Sequence, residues 1–243
     1  MLTGCLYSVH HFNTGLILPA GKSQATVGMG RQSLWTCSQY RADTVGVAHA
    51  CGDSSGESVY SSAILQGSID YRLGVKDAWG PFPGAEIQWH LEAPTNPATM
   101  EFGVNLALPG WSTFHHKVGA GWGIGAWADN SVYLEYSASR TFTLPRIGNS
   151  LVFGNLRATY LATQMEAVLG SDFSEPLPSE RTLVYQAAIG MLYRLPEWTL
   201  VPDFLAPQFN VTLPQLPSGE QRFHGRDIPP VQWDVNLAFG WDF

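Results

Sequence analysis

Side chains that could carry nucleophilic or metal chemistry occur at two places in the sequence. Ser54 lies in the glycine-containing stretch 51–56, shortly after His49. A serine nucleophile needs a base within hydrogen-bond reach, and His49 lies too close in sequence to be that base in a known framework. His115 and His116 are adjacent, but no third ligand follows at metal-site spacing. The sequence therefore predicts no catalytic residue, no metal site and no cofactor.

The composition is poor in charge without being strongly hydrophobic. Of the 243 residues, 45% are apolar and only 14% are charged, and the mean hydropathy is −0.03. Average soluble domains carry about 25% charged residues, and no run approaches the ~18 consecutive apolar residues of a transmembrane helix. The net charge of −7 and the absence of a basic run argue against a nucleic-acid partner.

Apolar and polar residues alternate in about ten segments. Period two predicts strands with two unlike faces. The segments are long enough for tilted transmembrane strands, which need about 9–11 residues, whereas soluble strands average about 5–6. They cover approximately 22–35, 61–76, 84–93, 98–108, 116–128, 131–142, 151–163, 182–195, 198–210 and 233–243. The ninth is the weakest, because Pro202 and Pro207 each remove a ladder hydrogen bond.

The last segment has the most regular pattern. Bulky apolar side chains occupy every second position, namely Trp233, Val235, Leu237, Phe239, Trp241 and Phe243. This stretch resembles the last strand of bacterial outer-membrane proteins, which alternates in the same way and ends in an aromatic residue. The resemblance implies an all-β fold, a closed antiparallel up-and-down transmembrane β-barrel of about ten strands in a Gram-negative outer membrane. Barrels of eight or twelve strands and a soluble edge strand are the alternatives.

The same resemblance implies partners and an orientation. The lipid bilayer would surround the barrel, and barrel-assembly machinery would recognise the final strand through Trp241 and Phe243. Outer-membrane barrels have short periplasmic turns and longer outer loops. With both termini in the periplasm, the longest connections, 36–60, 164–181 and 211–231, face outside and are candidate surfaces for a protein partner. Tryptophans near both predicted ends of the strands suggest aromatic girdles at the two interfaces.

If the apolar faces meet lipid, the alternate positions line the lumen. Charged residues of both signs fall there, namely Asp70, Arg72, Glu86, Glu101, Lys117, Glu135, Arg157 and Arg194. Unpaired charges are costly in a narrow, poorly hydrated interior, so we expect these side chains to pair. They form either a structural plug or the polar wall of a solute pathway. Inward glycines, Gly119, Gly121, Gly123 and Gly125, clear space either for large side chains from the opposite wall or for a narrow channel or pocket.

The N-terminal sequence carries a separate signal. Leu2-Thr3-Gly4-Cys5 resembles a lipobox, in which the cysteine of a bacterial lipoprotein is acylated. The resemblance implies lipid attachment at Cys5, a lipobox and periplasmic segment over 1–20, and a barrel over 21–243. An ordinary N-terminus is the alternative. With Cys5 acylated, Cys37 and Cys51 form an even pair for a disulfide in an oxidising compartment, and two free thiols are the alternative.

Enzymes of the outer membrane match less well. Stretch 51–56 resembles the segment around a serine-protease nucleophile, but the upstream His and Asp framework is absent. The His-x-Ser-Asn motifs of lipid A deacylases and outer-membrane phospholipases are also absent. His224 and Asp227 resemble part of the loop chemistry of ten-stranded omptin proteases, but their Asp-x-Asp pair is missing. A lipid-modifying enzyme or protease is therefore the least favoured function. A narrow channel or carrier for small solutes and a non-conducting structural or partner-binding barrel are nearly even.

Overall fold

Ten long strands close into one antiparallel barrel in this computed structural model. They are β1 (Ser23–Cys37), β4 (Val59–Lys76), β5 (Ala85–Ala93), β6 (Thr99–Ala107), β7 (Phe114–Gly125), β8 (Ala128–Leu144), β9 (Gly148–Thr163), β10 (Glu180–Arg194), β11 (Phe204–Gln215) and β14 (Gln232–Asp242). Four two-residue strands form two small hairpins, β2 (Arg41–Ala42) with β3 (Ala48–His49) and β12 (Arg222–Phe223) with β13 (Arg226–Asp227). The structure describes residues 12–37, 41–42, 48–49, 59–93, 99–110, 113–125, 128–144, 148–163, 180–195, 201–215, 222–223, 226–227 and 232–243.

Each barrel strand pairs with the barrel strands before and after it in the chain, and β1 pairs with β14 to close the ring. At one end the closure extends beyond the ladder, where Ser23 and Phe243 exchange main-chain hydrogen bonds of 3.0 and 2.8 Å. We call this end the near rim and the opposite end the far rim. The predicted all-β, up-and-down barrel of about ten strands is confirmed, and a closed ring leaves no free sheet edge.

The two faces of the wall have opposite polarity. Outward positions carry large apolar side chains that are exposed, such as Leu134, 65% exposed, and Ile189, 60% exposed. Most inward positions carry polar or charged side chains that are buried, including Thr26, Asp70, Glu101, Ser137, Thr159, Asn210 and Asp234. This is the reverse of a soluble barrel, whose apolar side chains face inward. None of the described residues form a helix long and apolar enough to cross a bilayer.

The ninth barrel strand begins later than the sequence predicted. It covers Phe204–Gln215 instead of 198–210, so Pro202 precedes it. Pro207 lies within the strand and pairs with Leu237 of β14. Toward β10 the pairing is interrupted between Gln208 and Leu205, and it resumes in the same register. Proline has no N–H to donate, so the strand tolerates Pro207 by losing contacts on one side while keeping its register.

The connections differ in length between the two rims. The three longest, 38–58, 164–179 and 216–231, all join strands at the far rim, as the sequence predicted. Tryptophans lie at both rims, with Trp79 and Trp241 near the first and Trp233 near the second, but Trp89 lies midway along β5. Trp111, Trp127 and Trp198 fall outside the described residues, so the aromatic girdles remain a prediction.

Several predicted features also fall outside the described part of the chain. Cys5, Cys51 and His224 are among them, whereas Cys37 ends β1. Lipid attachment at Cys5 and the disulfide between Cys37 and Cys51 therefore remain predictions.

Candidate functional site: the interior of the barrel

A segment of the chain, residues 12–20, runs between the near rim and the interior of the barrel, and we call it the strap. It enters at the near rim, where the main-chain N–H of Ala20 donates to Asp77 Oδ1 at 2.8 Å. Its first part, from Phe12 to Gly15, is buried among inward side chains. The sequence predicted a lipobox and periplasmic segment over 1–20 ahead of a barrel over 21–243, and in the structure the first described residues of that segment are buried inside the barrel.

Three buried charged side chains form the centre of the near half of the interior, and we call Arg72, Glu86 and Lys117 the clamp. Arg72 binds Glu86 through two bonds, Nε to Oε1 at 2.9 Å and Nη2 to Oε2 at 2.7 Å. Lys117 Nζ donates to Glu86 Oε1 at 2.6 Å. Two cations therefore share one carboxylate, and the clamp carries a net positive charge that needs a further acceptor.

The strap supplies that acceptor through its main chain. The carbonyl oxygen of Leu16 accepts hydrogen bonds from Arg72 Nη2 and from Lys117 Nζ, the latter at 3.4 Å. Two residues further along, the N–H of Leu18 donates to Glu86 Oε2 at 3.1 Å. Alternate main-chain groups of an extended segment thus satisfy both the cations and the anion of the clamp, and the clamp is complete only with the strap in place.

The wall is shaped for the strap by small residues. A β-carbon at Gly74 would collide with the carbonyl oxygens of Leu18 and Pro19. Within the strap, Gly15 has φ of +72°, and its own β-carbon would lie 3.0 Å from the carbonyl carbon of Ala138. Non-glycine residues rarely adopt this backbone conformation. Gly74 in the wall and Gly15 in the strap therefore allow the backbone of the strap to lie close to the backbone of the wall.

The start of the strap is anchored by apolar packing. Phe12 belongs to a buried cluster with Leu151, Phe153, Leu192, Phe204, Ala206 and Ala238, and Leu16 packs against its edge. These wall residues lie on β9, β10, β11 and β14, across the barrel from the clamp. Burying a phenylalanine side chain contributes about 1.5–3 kcal/mol, so the strap is held on one side by charge and on the other by the hydrophobic effect.

A second buried charge cluster centres on Arg157. Its Nη2 donates to Glu101 Oε1 at 2.7 Å, its Nη1 lies 3.8 Å from Glu135 Oε2, and its Nε donates to Thr159 Oγ1 at 2.9 Å. Glu135 also accepts a hydrogen bond from Asn13 Nδ2 of the strap. The strap therefore contacts both charge clusters.

The inward glycines of β7 accommodate side chains from neighbouring strands. The Tyr133 ring lies over Gly121 and Gly103, where a β-carbon at either position would collide with it. The guanidinium carbon of Arg157 lies over this ring, 3.8 Å from its centroid. Asn105 and Glu101 similarly lie against Gly119 and Gly123. The space beside these glycines is therefore taken by side chains of the adjacent strands β6 and β8, and not by side chains from the opposite wall.

The charged residues that were predicted to line the lumen differ in how far they are exposed. Buried inside the barrel are Asp70, Arg72, Glu86, Glu101, Lys117, Glu135 and Arg157. Arg194 instead lies at the near rim, where β10 ends, with 46% of its side chain exposed and an ion pair to Asp242. An inward position at the last residue of a strand therefore opens to the near rim, and a lumen-lining role for Arg194 remains a prediction.

His90 belongs to the interior but was not among the predicted site residues. Its Nδ1 lies 2.7 Å from Asp70 Oδ1, and both side chains are fully enclosed. The signal was present in the sequence, because His90 alternates with the apolar residues of β5 in the same way as Glu86 does. Among the described residues, no group of three or more His, Cys, Asp or Glu side chains is placed to hold a metal ion.

Uncharged amides line the wall on the side of β9, β11 and β14. The side-chain amides of Asn155, Gln208 and Asn236 are buried, and neither polar atom of any of them has a hydrogen-bond partner in the described part of the protein. Gln208 and Asn236 face each other across the β11–β14 ladder. Buried polar atoms are normally hydrogen-bonded, so this patch is a place where a polar molecule would be stabilised.

Comparisons with known proteins add little to this geometry. No protein-family model matches the sequence, and no curated protein matches it. The β domain of the Bordetella autotransporter BrkA is similar over 91% of this chain and 98% of its own, with 9% identity and a TM-score of 0.37. A chain from work on in-meso crystallization of membrane proteins has a TM-score of 0.38 and 10% identity over 91% of this chain and 84% of its own. Pseudomonas aeruginosa OccK5 (OpdH) has a TM-score of 0.21 and 8% identity over 93% of this chain and 99% of its own. Likeness at this level carries no argument about function.

Proposed function

We propose that the protein is a bacterial outer-membrane β-barrel whose lumen is closed by its own strap. In this view it is a non-conducting scaffold that holds its long far-rim connections outside the membrane for a partner. The observation that carries the proposal is a polar interior that is filled by the protein itself and enclosed by an apolar outer face.

The outer face supports a membrane location. Exposed apolar side chains such as Leu134, Leu156 and Ile189 are unfavourable in water at this density, because soluble proteins rarely expose apolar patches larger than a few hundred Å². In lipid the same face is satisfied, and a closed ladder leaves no unpaired backbone group to the hydrocarbon. Closed barrels and helices are the structures that meet this requirement.

The interior supports a closed lumen. The clamp lies across the near half with its side chains at most 2% exposed, and the strap occupies the space beside it. An eight-stranded barrel is just filled by side chains, and ten strands leave little more room. The main chain of the strap takes up part of that interior, which supports a lumen closed to ions.

Insertion and conductance test this proposal on the purified full chain. We expect heat-modifiable migration on SDS gels after refolding into phosphatidylethanolamine–phosphatidylglycerol vesicles, and no single-channel steps in planar bilayers. A protein that stays in the supernatant with one invariant band would overturn the membrane location. Regular conductance steps from the unmodified protein would overturn the closed lumen.

A second candidate is a narrow channel that conducts when the strap is displaced. The amide patch of Asn155, Gln208 and Asn236 favours it, because these groups would solvate a polar solute. The test is the same bilayer recording with Gly15→Val, which introduces a branched side chain where the strap passes Ala138. Steps that appear only in this variant would support a gated channel, and their absence from a folded variant would favour the scaffold.

A further inference from the structure

Two polar side chains interrupt the apolar outer face of β7 and β8 near the near rim. The described outward positions of these strands are otherwise apolar or aromatic, namely Phe114, Val118, Ala120, Trp122 and Ile124 on β7 and Val132, Leu134, Tyr136, Ala138 and Phe142 on β8. His116 and Arg140 are the exceptions. Arg140 pairs in register with Phe114, the first residue of β7, so both polar side chains lie close to the rim.

His116 is already satisfied by the protein. Its Nε2 donates to the carbonyl oxygen of Pro109 at 2.8 Å, and its Nδ1 lies 3.4 Å from the Tyr136 hydroxyl. Its ring also lies 5.4 Å from that of Phe114 and 6.2 Å from that of Tyr136. His116 is therefore a fixed, largely aromatic part of this surface.

Arg140 is different, because its donors face outward. Its guanidinium carbon lies 5.3 Å from the centroid of the Phe142 ring, and it makes no hydrogen bond or ion pair with any described residue. The guanidinium presents five N–H donors in a planar fork that matches the oxygens of a phosphate. A cation on an apolar surface needs an anion, and the aromatic rings on either side favour the headgroup zone of a bilayer.

We propose that Arg140, flanked by Phe114, His116 and Phe142, binds the phosphate of a membrane phospholipid at the near rim. This rests on the proposed membrane location, which places the near rim at one headgroup layer. The rings contact the upper acyl chains and glycerol, and the guanidinium binds the phosphodiester. This contact with the phospholipid therefore fixes how deeply the near rim of the barrel lies in the bilayer.

The test compares phosphatidylglycerol binding by the full chain and two matched variants in detergent micelles, using native mass spectrometry. Arg140→Gln removes the guanidinium group and its planar set of N–H donors. Arg194→Gln is the control, because Arg194 is another exposed arginine of the near rim but already holds Asp242. We expect the affinity of the Arg140→Gln variant to fall about fivefold, as for the loss of one basic residue near an anionic membrane surface, and that of the control to stay unchanged.

Two further arms separate the outcomes. Inorganic phosphate at millimolar concentration should leave the bound lipid in place, and displacement by it would overturn a lipid-specific site in favour of a free anion. Equal lipid affinity of the unmodified chain and Arg140→Gln would also overturn the proposal. Heat-modifiable migration is recorded for every variant, so that loss of the membrane location as a whole is distinguished from loss of this one site.

Discussion

The main-chain N–H of Leu18 donates to Glu86 Oε2 at 3.1 Å, so a buried carboxylate of the wall holds the backbone of the strap. Glu86 also accepts from Arg72 and Lys117, and its removal leaves both cations buried without their anion. We expect Glu86→Gln to lower the free energy of unfolding by about 3–5 kcal/mol, the usual cost of breaking a buried ion pair. Urea unfolding in vesicles, followed by tryptophan fluorescence, measures it.

The matched control for this variant is a carboxylate at the rim. Asp242→Asn breaks the exposed pair with Arg194, and exposed pairs contribute at most about 1 kcal/mol. If Glu86→Gln were no more destabilised than Asp242→Asn, the clamp would not hold the strap as described.

The strands of the barrel were predictable because their physics is local. Alternation at period two sets both the strand and its faces, so segments such as 98–108 and 182–195 lie close to the observed β6 and β10. The start of the ninth barrel strand was harder to predict. The alternation of this strand is visible at Leu205, Phe209 and Val211, but Pro202 and Pro207 made its first residue difficult to predict. A proline interrupts pairing only with the strand on the side of its missing N–H, and the sequence does not show which strand lies there.

The interior was predictable only in part. The identity of the inward charges followed from alternation, but their partners did not, since Arg72, Glu86 and Lys117 lie on three different strands and alternation does not show which of them meet. The strap was not predicted at all. Its contacts use main-chain atoms of Leu16 and Leu18, and main-chain atoms leave no mark in a sequence pattern.

Gly15 provides a test of how tightly the strap fits. Gly15 and Gly21 both have positive φ, +72° and +78°, so alanine at either position causes similar backbone strain. A β-carbon at Gly15 would also make tight contacts of 3.0 and 3.1 Å with the backbone of Ala138 and Ser139, whereas one at Gly21 meets nothing within 4 Å. We therefore expect Gly15→Ala, and not Gly21→Ala, to loosen the strap.

Thiol labelling measures this loosening. A Thr14→Cys probe is placed in a chain whose Cys5, Cys37 and Cys51 are replaced by serine, and a polar maleimide is added to the folded protein. We expect the thiol at position 14 to be labelled slowly when positions 15 and 21 are both glycine, and equally slowly in the Gly21→Ala variant. In the Gly15→Ala variant we expect the same thiol to be labelled at least tenfold faster. Equal rates in all three would show that Gly15 does not govern access to the interior.

The contact between Tyr133 and Gly121 predicts a sharp limit on side-chain size in β7. A β-carbon at Gly121 meets the Tyr133 ring and also the carbonyl oxygen of Phe102, which cannot move without the strand. We expect Gly121→Ala to lower the free energy of unfolding by about 1–3 kcal/mol, as overpacking does. Gly154→Ala is the control, because its nearest neighbour would lie 3.6 Å away. Similar stabilities of the two variants in urea would contradict the proposed role of the glycine stripe.

The outer face makes the most direct prediction about the environment of the barrel. Leu134 lies midway along β8, 65% exposed, whereas Val75 lies at the bulged near-rim end of β4, 48% exposed. In lipid, a lysine costs about 2–4 kcal/mol at the midplane and about 0–1 kcal/mol near an interface. We therefore expect Leu134→Lys to be more destabilising than Val75→Lys when folding into vesicles is measured against urea. In water both positions are solvated, and surface substitutions stay within about 0.5 kcal/mol. A large difference between the two variants therefore requires a hydrocarbon layer around the middle of the barrel, and equal effects would mean that this face meets water.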